Sequence, residues 1–185
     1  QAGIMKEMGL GGFFMHARAG LITEYLGREW FELTNAVADE AQRLDMEAWL
    51  YDEDRWPSGS AGGKVTADPK YRMKSLVMTD MPADRFRWTP EVIAAFLARC
   101  RGIELDEYSP LSPDAAIPQE EGLRVLQFSI VPEPCSSGYN GATYLDTMSR
   151  AATERFIELT HEAYRQHCGD RIGDSIEGIF TDEPH

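Results

Sequence analysis

Apolar residues in this chain follow one rhythm at the two ends and another in the middle. Residues 1–8 resemble the last turns of a helix, closed by Gly9. Residues 11–18 predict a strand: Phe13, Phe14 and Met15 are contiguous and apolar, and His16 and Arg18 stand at its exit. After a loop at 19–25, residues 27–44 predict an amphipathic helix. Trp30, Leu33, Val37, Ala41 and Leu44 recur at three- and four-residue spacing, while Glu29, Glu32, Asp39, Glu40 and Arg43 lie off that face. A second short apolar strand, 47–51, runs into Asp52-Glu53-Asp54-Arg55-Trp56-Pro57-Ser58-Gly59, with Gly62 and Gly63 marking a long loop. Helix and strand alternate over short connections, which is the pattern of βαβ units and a parallel sheet.

Between residues 64 and 140 that alternation stops. Residues 71–78 read as a strand. Residues 92–99 read as a strand, with a short helix as the alternative, and turn at Arg101-Gly102 into a strand at 103–108. Residues 109–118 form a proline- and serine-rich loop. Residues 123–131 alternate Val125, Gln127, Ser129 and Val131 against Leu126, Phe128 and Ile130, a strand signature. Consecutive strands between βα units predict a small antiparallel β subdomain inserted in a loop. The first rhythm then resumes. Residues 146–167 predict a helix burying Ala152, Phe156, Leu159, Ala163 and Tyr164, ended by Gly169, and 178–180 predict a buried strand leading to Thr181-Asp182-Glu183-Pro184-His185. The expected organisation is therefore 1–63, an inserted β-rich subdomain at 64–140, and 141–185.

Composition narrows the function without naming one. Hydrophobic residues make up 43% and charged residues 26% of the 185, as in ordinary globular proteins. A net charge of −13 argues against nucleic acid and against an anionic membrane surface. It suits a neutral or cationic small substrate, or reflects solubility alone. Cys100, Cys135 and Cys168 form no C-x-x-C pair, so neither a disulfide framework nor a zinc site is indicated. No apolar run approaches the roughly 20 residues of a membrane span. The chain opens at Gln1 without an initiator Met, and its localisation is left open, periplasmic or secreted being compatible.

A parallel sheet gathers the C-terminal ends of its strands on one rim, where α/β folds bind ligands. That rim collects His16 and Arg18; Tyr51, Asp52, Glu53, Asp54, Arg55 and Trp56; and Asp182, Glu183 and His185. Carboxylates beside an indole suit a sugar, since hydroxyls need acceptors and the apolar face of a pyranose stacks on an aromatic ring. A buried carboxyl beside aromatic rings keeps its proton toward neutral pH and can act as a general acid. Glu183, held by Pro184, is the candidate, with His16, Arg18, Tyr51, Asp52, Asp54, Arg55, Trp56 and Asp182 as substrate contacts. Glycoside hydrolysis needs a second carboxylate about 5 Å away for retention or about 6.5–9.5 Å away for inversion. The plainer reading of Arg18 is a salt bridge to Asp52 or Glu183; that of Asp54 and Arg55 is an ion-pair network. His161 and His167 read as surface or structural residues. Clustered oxygens of Asp52, Asp54, Asp182 and Glu183 would suit calcium, although no EF-hand spacing is present. P-loop, dinucleotide, nucleophile-elbow and zincin motifs are absent from the sequence.

GGFFMHAR followed by WLYDEDRWPSGSAGG, together with the closing IEGIFTDEPH, resembles a group of large bacterial glycoside hydrolases, the α-L-rhamnosidase-like and family 2-like clan. The resemblance covers most of 11–63 and 144–185. It implies a (β/α)8 TIM barrel of which this chain supplies about strands two to four, with the antiparallel segment as an insertion. In that clan the acid/base glutamate ends the fourth strand in an Asn-Glu-Pro motif. Glu183 falls on that position, with Asp182 in place of the Asn. The resemblance further implies an oligo- or polysaccharide substrate of plant or microbial origin. The partner carboxylate would lie in a remaining C-terminal half of the barrel, so that the chain is a piece of a larger enzyme, and a calcium ion would sit near the acid. The rival readings are a non-catalytic carbohydrate-binding barrel and a metal-dependent barrel hydrolase or lyase.

Overall fold

The computed structural model describes residues 1–118 and 120–184. The chain divides into two compact units, one made of residues 1–73 and 134–185 and the other of 74–133.

The first unit is built on three parallel strands, β1 (Gly12–Ala17), β2 (Glu47–Asp54) and a third at Ile176–Phe180, in that spatial order. The first crossover is α2 (Arg28–Arg43), which follows a short α1 (Ala2–Glu7). The second crossover ends in α3 (Arg150–Ile157), a π-helical turn (Glu158–Glu162) and α4 (Ala163–Cys168), joined without a break in helical geometry. Ser149 caps α3, its Oγ accepting the Ala152 N–H at 3.4 Å. That bond is long, so Ser149→Ala is expected to cost about 0.5–1 kcal/mol, read as a lower urea midpoint at unchanged m-value.

The core lies between the helices and one face of this sheet. It joins Trp30, Phe31 and Ala38 of α2, Leu50 of β2, Ile176, and Phe156, Tyr164 and Cys168 of the second helical run. Tyr164 is 1% exposed; its hydroxyl accepts the Trp30 indole N–H at 2.9 Å and donates to the Tyr51 carbonyl at 3.3 Å, tying both helices to β2. Period-2 alternation sends Trp49 and Tyr51 to the other face, where Phe14 and Phe180 join them at ring separations of 5.0–6.1 Å. Gly178 is required there: a Cβ on it would meet the Trp49 ring at 2.8 Å.

The buried stripe of α2 is turned from the expected one. Trp30, Phe31, Thr34, Ala38 and Ala41 are buried, whereas Leu33 and Val37 are exposed. They line an apolar recess of about 670 Å³ with Phe13, Phe14 and Met15 of β1. β1 is an edge strand, so the sheet does not extend over that side of the helix.

The second unit is a separate antiparallel sheet of β3 (Lys74–Pro82), β4 (Val92–Arg101), β5 (Glu104–Pro110) and β6 (Arg124–Pro132), ordered β3-β6-β4-β5. Its own core is Ala83, Phe86, Val92, Ala95, Leu111 and Val125. The parallel strand Ile176–Phe180 is therefore β7.

The partial TIM barrel is overturned. A barrel is one closed ring of parallel strands wrapped in helices. Among the described residues the parallel strands form an open three-stranded sheet, and four other strands form a different, antiparallel sheet. The βα rhythm at the ends is common to every parallel α/β sheet, so it could not distinguish an open sheet from a ring. The unit boundaries at 73/74 and 133/134 also fall inside the expected 64–140 insertion, because residues 64–73 pack with the parallel sheet: Val65 joins its core and Met73 N–H bonds to the Tyr144 carbonyl at 3.0 Å. No helix among the described residues is long and apolar enough to cross a membrane.

Candidate functional site

The acidic stretch expected after β2 belongs to the strand itself, which runs on to Asp54. Its pairing with β1 becomes irregular there. Met15 faces Leu50 and Ala17 faces Asp54, so His16 alone stands against Tyr51, Asp52 and Glu53. Such bulges bend a strand and re-aim side chains, often beside active sites.

Glu53 stands at the centre of this group of side chains. Its side chain is 1% exposed, yet it lines a small cleft of about 130 Å³ with Ala17, Arg18, Ala19, Arg55 and Trp56. Oε1 lies 2.7 Å from His16 Nε2, and Oε2 accepts a long bond of 3.5 Å from Ser58 Oγ. Burial, with the carboxylates of Asp182 and Asp52 nearby, pushes Glu53 up to about 7. Burial and then the Arg18 guanidinium hold His16 below its ordinary value. Both shifts favour the neutral pair, a protonated Glu53 beside an uncharged imidazole.

Tyr51 fixes the other side of His16. The two rings stack at 3.6 Å with 3° between their planes. The Tyr51 hydroxyl donates to Asp182 Oδ2 at 2.6 Å, and burial and that bond raise its pKa. Ser58 ties the β2 loop to the end of β7: its N–H bonds to the Asp182 carbonyl at 3.0 Å, and its Oγ accepts the Asp182 N–H at 2.9 Å. A chain of contacts thus runs from Asp182 through Tyr51 and His16 to Glu53 and returns through Ser58.

Asp52, on the opposite face of β2, is 0% exposed. Its Oδ2 accepts Thr181 Oγ1 at 2.6 Å and lies 3.1 Å from His161 Nε2. His161 sits in the π-helical turn, which places it there. Asp54 Oδ2 accepts from Asn140 Nδ2 at 3.0 Å, and Arg55 Nε donates to Asn140 Oδ1 at 2.7 Å. Arg18 makes no salt bridge to Asp52 or Glu183 among the described residues.

Of the residues expected at the rim, His16, Tyr51 and Asp182 join one hydrogen-bonded group, while Arg18, Arg55 and Trp56 line the cleft beside it. Asp52 is a buried strut, and Asp54 is engaged by Asn140. Glu183 is exposed and carries a positive φ of 41°; the burial on which an acid role rests falls on Glu53 instead. His185 lies outside the described residues. The sequence pattern places Glu53 on the rim without singling it out, reads His161 as surface or structural, and gives no role to Ser58, Thr181 or Asn140. Period-2 alternation around Glu53 was legible, but the bulge that turns it to His16 carries no sequence mark. Among the described residues no group of three or more His, Cys, Asp or Glu side chains comes together as a metal donor set.

The raised Glu53 pKa has a consequence for stability. The folded state holds the Glu53 proton up to about 7, whereas the unfolded chain releases it near the ordinary 4.5. Between those values the folded state binds more protons, so this residue's contribution to stability falls as pH rises. Melting temperature is expected to decline from pH 4.5 to 7 more steeply in the wild type than in Glu53→Gln. Parallel curves would show that Glu53 titrates at its usual value.

Compared with known protein families, with curated protein sequences and with solved structures, the chain matches none of them.

Proposed function

We propose that the rim of the parallel sheet is an acid–base site that hydrolyses glycosidic bonds in oligo- or polysaccharides, with Glu53 as the proton donor. The carrying observation is a carboxyl 1% exposed, pushed up to about 7, on the wall of a cleft beside a half-exposed tryptophan. A general acid works best when its pKa lies near the working pH. In the proposed reaction Glu53 gives its proton to the glycosidic oxygen as the carbon–oxygen bond breaks, and the bonding pair stays with that oxygen. Asp182, oriented by the Tyr51 hydroxyl, takes a proton from the water that adds to the anomeric carbon. His16 and Ser58 hold Glu53 in place, and Trp56 offers its ring to the apolar face of the sugar.

The position of Glu53 favours this over simple sugar binding. A carboxyl that stays protonated toward neutrality on the wall of a cleft suits proton transfer, which a surface that only binds sugar does not require. Turnover of aryl glycosides and of plant and microbial oligosaccharides tests the reading. Hydrolysis that depends on Glu53 supports it. No hydrolysis across the panel, or hydrolysis untouched by Glu53→Gln, overturns it.

A further inference from the structure

We infer that the cleft beside Glu53 takes a sugar bearing an acidic group, a uronic acid or a sulfated sugar, held by Arg18 and Arg55. The inference rests on the glycosidase reading for the ligand being a sugar; the acidic group is argued independently. The chain carries 31 acidic and 18 basic residues, so arginines are in short supply relative to partners. Most of the others pair with carboxylates, as in Arg43 with Glu40, Arg124 with Asp80 and Arg171 with Asp39, while Arg72 and Arg87 donate to backbone carbonyls. The two at this cleft line a cavity without a carboxylate partner among the described residues. Arg18 forms no ion pair or hydrogen bond among the described residues, and Arg55 gives its Nε to the neutral amide oxygen of Asn140.

The backbone reinforces the contrast. Arg55 holds a φ of 80°, a region a long side chain adopts only where its surroundings impose it. The nearest carboxylate in sequence, Asp54, accepts from Asn140 Nδ2 at 3.0 Å, so one amide engages both residues, and among the described residues the Arg55 terminal nitrogens meet no carboxylate. A guanidinium presents paired N–H groups that match the oxygens of a carboxylate or sulfate. The overall negative charge opposes such a ligand only weakly, because salt screens it beyond about 8–10 Å. Arg18 is also the cation that draws both Glu53 and His16 downward in pKa. An anion seated on it would cancel that pull, in surroundings that also hold Asp52, Asp182 and Tyr51, and leave Glu53 more fully protonated with substrate bound.

Calorimetric titration of the protein with sodium glucuronate, glucose 6-sulfate and glucose tests the inference. At least one anionic sugar is expected to bind tenfold or more tightly than glucose, the tighter of the two identifying the acidic group. Arg18→Gln, an exposed position, is expected to remove that preference while circular dichroism stays unchanged, with Arg55→Gln as the second variant. Equal affinity for all three sugars, binding of none of them, or an anionic preference that survives both substitutions overturns it. Those outcomes leave Glu53-dependent hydrolysis of neutral glycosides standing, whereas loss of Glu53 dependence removes the glycosidase reading whatever the arginines bind.

Discussion

Glu53→Gln is expected to lower kcat/KM on glycosides with poor leaving groups by about 10²–10⁴-fold, the range of a lost general acid. Glutamine keeps the size and the hydrogen-bonding edge of the protonated carboxyl but has no proton to give. Leaving groups that depart without protonation should suffer far less, so nitrophenyl glycosides set against alkyl glycosides separate a lost acid from a damaged site. The wild-type rate should fall as pH rises through about 7, as Glu53 deprotonates, and the variant should lose that limb. Folding is not at risk from the change, because glutamine stays neutral where the buried carboxylate is costly. Glu183→Gln is the companion measurement. If the exposed Glu183 is the acid that the resemblance implies, the large loss appears there, and the role assigned to Glu53 fails.

Gly59→Ala is expected to destabilise the protein by about 3 kcal/mol, combining backbone strain with overpacking. Gly59 holds a φ of 139°, which side chains other than glycine's rarely tolerate. A Cβ there would meet Leu145 Cδ2 at 2.5 Å and the Tyr144 hydroxyl at 2.7 Å. That hydroxyl donates to the Ser58 carbonyl at 2.6 Å, so relief of the clash must move the loop that ties Glu53 to Asp182. Chemical denaturation should show the loss, together with a melting temperature lower by roughly 6–12 °C. Gly20→Ala is the control: its φ is 95° but no atom lies within 4 Å, and about 1 kcal/mol of strain is expected. Equal losses at the two positions would place the whole effect in the backbone and none in the packing around Ser58.

Local pattern carried much of the architecture. The contiguous Phe13–Met15 run, the three- and four-residue spacing in α2 and the alternation in β6 each correspond to an element, because burial on one face imposes a period that a sequence can display. The stripe on α2 was misjudged for a physical reason. Leu33 and Val37 are as apolar as the residues chosen for burial, and their exposure follows from β1 being an edge, a property of neighbours rather than of the helix. Closure failed in the same way: a barrel and an open sheet demand the same βα repeat, and only the count and direction of paired strands tells them apart.

The rim was legible because strand exits in a parallel sheet share one side, so His16, Tyr51, Glu53 and Asp182 could be placed together from their positions alone. Which carboxyl loses its water could not. Glu183 and Glu53 are the same residue type at two strand ends. A bulge against His16, a stacked Tyr51 and a loop folded back through Ser58 bury one, while the other stays exposed. Element types and the side of the sheet on which charge collects follow from local period and strand direction, both of which a sequence displays. Sheet closure and which carboxyl is desolvated follow from what packs against each strand and side chain from elsewhere in the chain, which no local pattern records.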